Sequence, residues 1–120
     1  FEGCESLTDI TIPSGITAIQ DTTFMDCKSL KALTLPAGVT SLGSSAFCLS
    51  GIEEIVLPAG ITELSPSLFS NCKSLKKLTI SSPITSCGNS ALFGCDNLTC
   101  IIYQDTTYPS VDAFLAVVEK

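Results

Sequence analysis

The sequence contains no histidine, no tryptophan and no arginine. Without histidine, the chain lacks the commonest general base and the commonest side-chain metal ligand. Its six lysines stand against twelve acidic residues, for a net charge of −6. This balance excludes nucleic acid as a partner, because phosphate binding requires a basic surface. The longest apolar run, Ala113–Val118, is far shorter than the roughly 20 residues that span a bilayer, so no transmembrane segment is predicted in this chain.

The seven cysteines are an odd number, and none of them forms a C-x-x-C pair. An odd count does not fit a fully paired disulfide framework, and the missing close pairs argue against a zinc ribbon or a thioredoxin-like site. The chain begins at Phe1 without an initiating methionine, and its first segment is acidic. No signal peptide is recognised there, and we expect the chain to be a piece of a longer or processed protein.

Phenylalanine recurs at nearly constant intervals of 23, 23, 22 and 24 residues, at Phe1, Phe24, Phe47, Phe69 and Phe93. The residues that follow each phenylalanine recur as well: one copy reads FMDCKSLKALTLPAGVTSL and another reads FSNCKSLKKLTISSPITSC. Self-similarity at a fixed period of about 20 to 50 residues is typical of a solenoid, in which each repeat buries its apolar face against its neighbours.

Each repeat predicts a short strand, a turn and a second short apolar alternation. In Leu33–Leu35 the apolar residues alternate, so this segment is predicted to be a strand with one buried face. Pro36 ends the strand because proline cannot donate to the next ladder bond. Proline at the second position and Gly38 at the fourth favour a type I turn. Val39 and Leu42 then give a second apolar alternation before the chain turns toward the next phenylalanine.

Stacking the repeats at the roughly 4.8 Å spacing of parallel strands places equivalent residues in continuous columns. Burial of one large apolar side chain stabilises a fold by about 1.5–3 kcal/mol, so such columns account for the high hydrophobicity without a membrane. The phenylalanines are expected to form an aromatic column on the wall opposite the strands. The three strand-side columns are Leu7, Leu30, Ile52, Leu75 and Leu98; Ile10, Leu33, Ile55, Leu78 and Ile101; and Ile12, Leu35, Leu57, Ile80 and Tyr103.

The pattern F-x-x-C-x-x-L-x-x-[IL]-x-[IL]-P-x-G-[IV]-T-x-[IL], carried almost without departure by Phe24–Leu42, resembles the BspA-like (Treponema pallidum type) class of leucine-rich repeats. The resemblance implies a mainly β, right-handed leucine-rich repeat solenoid, with a parallel sheet on its concave side and a C-terminal capping helix. It also implies a cell-surface or secreted protein of bacteria that binds proteins, glycoproteins or matrix in adhesion and host interaction. It implies no catalysis and no cofactor.

The chain divides into five predicted repeats and a tail. Ser110 is a candidate N-cap for a helix in the tail, followed by Val111, Phe114, Leu115 and Val118 at helical spacing. We expect this helix to cover the end of the last coil, and a partner-binding helix is the alternative. The N-terminal end has no equivalent cover, so end-to-end association is an open expectation. The predicted repeats span residues 1–23, 24–46, 47–68, 69–92 and 93–103, and the tail spans 104–120.

The cysteines are predicted to be free and mostly buried. Three of them share one position of the repeat, the shared cysteine slot: Cys4, Cys27 and Cys72, with Ser50 at this position in the third repeat. Cys95 lies near the same position. Cys87 falls at a core position. Stacked side chains point the same way, which suits neither a disulfide nor a metal site. Cys48 and Cys100 fit no such slot and are the candidate reactive thiols. A thiol enzyme built on them would have no histidine base.

The strand residues that point outward form the candidate binding surface on the concave face. One row carries charges of alternating sign on neighbouring strands, so two interpretations stay open: a ligand footprint, or cross-strand pairs that neutralise one another. Two functions stay open. One is an interaction module that adheres through this face, and the other is a structural spacer that holds another, ligand-binding region away from the cell. No catalytic, metal or cofactor residues are predicted. The candidate protein-binding residues are Asp9, Thr11, Lys31, Thr34, Glu53, Glu54, Val56, Lys76, Lys77 and Thr79.

Overall fold

The computed structural model describes residues 3–118 and shows a solenoid of about four turns, with parallel sheets and a C-terminal helix. The predicted fold class is thereby confirmed. Phe1, the first member of the predicted aromatic column, lies outside the described residues. Each complete coil runs through a concave segment, which is a strand in the later coils, then a tight turn, a second short strand and a ridge of consecutive turns. The division into five repeats with the boundaries given above stays a prediction.

The concave face is built on a four-stranded sheet. Strands β3 (Glu54–Leu57), β5 (Lys77–Ile80) and β7 (Cys100–Tyr103) pair in parallel and in register. Strand β8 (Thr106–Tyr108) closes one edge by antiparallel pairing with β7. Alternate residues of β3, β5 and β7 are buried, so the predicted columns run through these three strands as expected. The short second strands form two parallel pairs: β1 (Ala18–Ile19) with β2 (Ser41–Leu42), and β4 (Glu63–Leu64) with β6 (Ser86–Cys87).

The first two coils depart from the prediction, because Leu33–Leu35 and its counterpart in residues 10–12 form no strand. A single bridge joins Ala32 to Glu54, and the Glu53 N–H donates to the Lys31 carbonyl at 2.9 Å. Beyond that point a shallow groove separates the backbones. The side chains of Leu33 and Leu35 remain buried. Hydrophobic packing is non-directional and survives this separation, whereas ladder hydrogen bonds require alignment.

The tight turn after the concave strand is offset by one residue from the predicted one. The Pro36 carbonyl accepts a hydrogen bond from the Val39 N–H at 3.1 Å, so proline is the first residue of the turn, not the second. The same bond recurs at Pro13 and Pro58. In the fourth repeat, where Ser81-Ser82-Pro83 replaces the usual sequence, the Ile84 N–H donates instead to the Tyr103 hydroxyl at 3.0 Å. A side chain from the next coil thus replaces the missing turn bond.

The side of the coil opposite the concave strands is a ridge of turns, which we call the convex ridge and define as residues 20–27, 43–50, 65–72 and 88–95. In each of the first three turns, three backbone N–H groups donate to carbonyls of the following turn at 2.7–3.0 Å. Each turn also contains two left-handed residues, which reverse the chain twice within a few residues. These are Thr22 and Asp26, Ser45 and Leu49, Ser67 and Asn71, and Ser90 and Gly94.

The aromatic column is shorter than predicted. Phe24, Phe47 and Phe69 stack with ring centroids 5.6 and 5.5 Å apart and nearly parallel planes. Phe93 does not join them, because its side chain is 66% exposed and Leu92 occupies the buried slot instead. The turn bonds show the correct alignment: the Cys72 N–H donates to the Phe69 carbonyl, and the Cys95 N–H donates to the Leu92 carbonyl. Cys95 therefore lies in the shared cysteine slot itself and not merely near it.

The tail covers part of the C-terminal end of the stack. Helix α1 (Val111–Val118) begins after Ser110, whose hydroxyl accepts a hydrogen bond from the Ala113 N–H at 3.1 Å. This is N-cap geometry, so the predicted cap is confirmed. Phe114 is fully buried and meets Tyr103 edge-on at 5.3 Å. Because α1 packs on β7 and β8, it covers the concave half of the last coil.

Candidate protein-binding face

The last three coils bring six outward-facing residues into two rows on the concave face. Glu54, Lys77 and Cys100 are register partners in one row. The other row consists of Val56, Thr79 and Ile102. These side chains stand on a hydrogen-bonded sheet, so their spacing is fixed at roughly 4.8 Å between neighbouring strands. Val56 is 60% exposed on β3, and it gives this surface an apolar spot beside polar neighbours.

The remaining candidates lie beside these rows on less regular backbone. Thr34, Glu54 and Val56 line one groove of about 440 Å³ between the second and third coils. Asp9, Thr11 and Thr34 line another of about 450 Å³ between the first and second coils. All the candidate residues are exposed or half-buried, so each is accessible to a ligand. Seven of the ten candidates thus line one or both of two shallow grooves, and Lys31, Glu53 and Lys76 are not in either lining.

The charges at the edge of this surface are only partly paired. Lys31 Nζ lies 3.8 Å from a Glu53 carboxylate oxygen, and both side chains are largely exposed. Such a pair contributes only about 0–1 kcal/mol to stability. Among residues 3–118, Lys76 and Lys77 form no ion pair. The neutralising interpretation therefore applies to Lys31 and Glu53, while two cations remain available to a ligand.

The structure corrects the expectation for one of the two candidate reactive thiols. Cys48 is 8% exposed, and burial raises the pKa of its thiol above the ordinary value. This position of the turn faces inward: Ser70, the equivalent residue of the next turn, is also buried and lies beside Cys48. Cys100 is half-buried in β7, at a concave-face position. Cys4 and Cys87 are also half-buried, so Cys87 is less enclosed than predicted.

The shared cysteine slot is a structural element of the convex ridge. The Cys72 thiol donates to the Phe47 carbonyl at 3.0 Å, and the Cys95 thiol donates to the Phe69 carbonyl at the same distance. Ser50 occupies the slot in the third repeat, and its hydroxyl lies 3.6 Å from the Cys72 sulfur. A hydrogen bond with Cys72, together with burial, raises the pKa of Cys95. In this slot the two thiols act as small buried hydrogen-bond donors.

The exposure of two apolar residues, Phe93 and Leu49, does not follow from the spacing of the phenylalanines. The regular spacing of Phe93 from Phe69 predicts that Phe93 lies in the buried column, and this prediction is wrong. Alignment on Cys95, three residues after the buried position, would have placed Leu92 in the core. Leu49 is partly exposed and adopts a left-handed conformation that is unusual for a bulky side chain. Its position four residues after Ser45 matches that of Asn71 after Ser67, so the repeat itself indicates this conformation.

The described residues give little support for other kinds of site. Among residues 3–118, no three acidic or thiol side chains are grouped closely enough to hold a metal ion. No helix within the described range has both the length and the apolar character needed to cross a membrane.

A solenoid with these parallel sheets and this repeat pattern has the architecture of leucine-rich repeat proteins. Residues 1–115 match the family model of the BspA type leucine rich repeat region, in six copies. The chain belongs to this family. A search of curated proteins finds no match.

Two solved structures are similar to this chain. A leucine-rich repeat protein from Bacteroides ovatus aligns with a TM-score of 0.71 and 32% identity, over 84% of this chain and 26% of that protein. A leucine rich cell surface protein from Faecalibacterium prausnitzii aligns with a TM-score of 0.60 and 24% identity, over 94% of this chain and 36% of that protein, and it supports the fold alone. The chain thus spans between a quarter and somewhat over a third of the length of these two proteins.

Proposed function

We propose that the chain is a non-enzymatic interaction module of a cell-surface or secreted bacterial protein, which adheres to a protein or glycoprotein ligand through its concave face. The observation that carries this proposal is the exposed row of β3 and β5, where Val56 stands between polar and charged neighbours on a rigid sheet. A rigid surface loses little conformational entropy on binding. Concave faces of solenoids are frequent binding surfaces.

The available charges favour a ligand with acidic groups. Lys76 and Lys77 have no ion-pair partner among residues 3–118, and Lys77 lines the groove that contains Val56. An apolar centre with a charged rim is the usual anatomy of a protein interface. The name of the Faecalibacterium relative, a cell surface protein, is consistent with an exposed location.

Catalysis is not part of the proposed function. The sequence has no histidine, so Cys100 on the concave face has no histidine to act as its general base. The four buried thiols lie inside the solenoid, away from any substrate.

The alternative is a structural spacer that holds a ligand-binding region of a longer protein away from the cell. The Lys31–Glu53 pair favours it, because adjacent coils there satisfy each other's charges. The chain aligns with only 26% and 36% of the lengths of the two similar proteins, which is also consistent with a segment of a longer repeat array.

The test is binding of the chain to immobilised host matrix proteins and cell-surface glycoproteins, measured beside a variant with Lys76→Glu and Lys77→Glu. We expect saturable binding that the variant weakens by tenfold or more. The matched control carries Lys28→Glu and Lys73→Glu, which makes the same change in charge on two exposed lysines in the turns before the concave strands. This control should bind nearly as well as the unmodified chain.

Three other outcomes would redirect the proposal. Equal losses in both variants would indicate a non-specific charge effect. Unchanged binding in both would move the site away from Lys76 and Lys77. No binding by the unmodified chain to any ligand tested would favour the spacer.

A further inference from the structure

The convex ridge repeats one hydrogen-bonding unit from coil to coil. In the turn of residues 65–72, the N–H groups of Ser67, Phe69 and Asn71 donate to carbonyls of the next turn at 2.9, 2.7 and 2.7 Å. The acceptors are alternate residues of that turn: Asn89, Ala91 and Phe93. In the turn before, the N–H groups of Ser45, Phe47 and Leu49 donate in the same way at 3.0, 3.0 and 2.9 Å. The ridge therefore shows which arrangement of carbonyl groups can accept the hydrogen bonds of each turn.

The last turn presents the same three donors with no acceptor. Its equivalent residues are Ser90, Leu92 and Gly94, and within residues 3–118 none of their N–H groups makes a hydrogen bond. The intervening N–H groups of Ala91 and Phe93 are bonded inside the turn. The open donors thus form a row at alternate residues, directed toward the C-terminal end of the stack. Backbone donors are rarely left without a partner when they are covered.

The tail leaves this row open. Helix α1 covers the concave half of the last coil, where Phe114 packs on Tyr103. Between α1 and the last turn lies a groove of about 460 Å³. Its walls are Ser90, Leu92 and Gly94 on one side and Val111, Asp112 and Leu115 on the other.

The groove combines an apolar anchor with negative charge. Phe93, also in its lining, is 66% exposed. Asp96 and Asp112 line the groove, and no lysine within residues 3–118 does. Asp96 is paired with Lys73 at 2.8 Å, whereas Asp112 has no ion-pair partner among the described residues. A free anion on the N–H row would be repelled by these carboxylates, while a neutral carbonyl with a nearby basic side chain would be attracted.

We propose that this groove is a second binding site, distinct from the concave face, for a peptide segment of a partner protein that adopts the turn conformation of the convex ridge. Carbonyls at alternate residues of the segment accept the N–H groups of Ser90, Leu92 and Gly94. A lysine or arginine of the segment lies beside Asp112, and an apolar or basic side chain rests on the Phe93 ring. A whole second solenoid fits less well, because α1 occupies the half of the end on which its concave strands would stack.

The test uses a synthetic peptide with the sequence of residues 65–72, with Cys72→Ser and two added C-terminal lysines, blocked at both ends. This segment carries the carbonyl arrangement that the ridge itself uses. The measurement is a titration of the ¹⁵N-labelled chain followed by amide NMR and hydrogen exchange. We expect saturable downfield shifts and slowed exchange at Ser90, Leu92 and Gly94. The alternate amides of Ala91 and Phe93 are internal controls that should change little.

Variants separate the two parts of the site. Phe93→Ser introduces the residue type of the equivalent position, Ser70, and should weaken peptide binding about tenfold. Asp112→Asn should weaken it severalfold and reduce its dependence on salt concentration. Glu63→Lys, an exposed charge reversal on β4, is the control and should leave binding unchanged. Circular dichroism of each variant verifies that the solenoid remains folded.

Several results would overturn the proposal. One is the absence of shifts at the three amides in a folded chain at millimolar peptide. Another is an equal response to inorganic phosphate, which would make the row an anion site. If the same amides shift with protein concentration and no peptide, the occupant is a second copy of this chain and the partner peptide is wrong.

Discussion

The convex ridge and the concave sheet are built from the same repeats, yet only the ridge is uniform along the described chain. Its inter-coil bonds extend from Gly3, which donates to the Met25 carbonyl at 2.8 Å, to Asn71, which donates to Phe93 at 2.7 Å. Hydrogen-bonded concave strands, in contrast, occur only from Glu54 onward. The core side chains follow the sheet: Ile10 is half-buried, whereas Ile55 and Leu78 are almost fully buried.

The difference shows which interactions depend on local turn geometry and which depend on the stack. Each ridge turn is fixed by two left-handed residues and by hydrogen bonds within the turn, so its donors already point at the next coil. A concave strand has no such local constraint and is ordered by its neighbours. Antiparallel β8 and the buried Phe114 hold the last coils together, and the sheet is complete near them.

The largest effect that tests this comparison is expected in the sheet. Ile55→Ala removes a fully enclosed side chain and should lower the free energy of unfolding by about 2–5 kcal/mol. Ile10→Ala makes the same change in the same column, but at a half-buried position, and should cost clearly less. Urea denaturation followed by circular dichroism measures both. Equal losses would mean that the first coil is as tightly packed as the third.

A smaller effect is expected in the cysteine slot of the ridge. Cys72→Ala removes the thiol that donates to the Phe47 carbonyl and should cost about 1–3 kcal/mol. Cys72→Ser should cost less, because Ser50 already occupies this slot in the neighbouring repeat. Thermal unfolding of the two variants provides the measurement. If serine were the worse substitution, the slot would depend on apolar volume and not on the hydrogen bond.

The smallest effect concerns the left-handed positions that make the ridge uniform. Asn71 has a φ of 58°, a conformation in which an alanine side chain is strained by about 1–2 kcal/mol and glycine is not. Asn71→Ala should therefore be less stable than Asn71→Gly.

Thr99, which is exposed and has no left-handed φ, provides the matched control. There the order should reverse, because glycine is the more flexible residue in the unfolded chain. Chemical denaturation measures the stability of all four variants. If alanine were the more stable residue at position 71 as well as at position 99, the left-handed turns would not limit stability.

The columns of the solenoid were predictable because they follow from period and alternation. Leu30, Ile52 and Leu75 are buried as expected, and the N-cap role of Ser110 follows from local chemistry. Phe93 and Cys48 were misassigned, for two different reasons. A one-residue shift moved Phe93 out of the core slot, and the inward direction of the Cys48 slot is visible only where neighbouring turns stack.

Four of the ten candidate residues of the concave face could be assigned to two rows, because parallel register follows from the repeat: Glu54, Val56, Lys77 and Thr79. The charge pairing of the candidate residues could not be assigned. Lys31 and Glu53 form an ion pair, whereas Lys76 has no such partner among residues 3–118, because pairing depends on side-chain positions at a distance of a few ångströms.

The sequence by itself determined that this chain is a stack of BspA-type repeats, because a repeat of about 23 residues with an L-x-x-L-x-L core can bury its apolar face only against copies of itself. The tertiary structure alone decided where the concave strands pair, which thiols are enclosed and which backbone donors remain open beside α1. These features depend on contacts between coils and on how far the tail reaches across the last one. Local sequence specifies the shape of each coil, but the neighbours of a coil complete its hydrogen bonds.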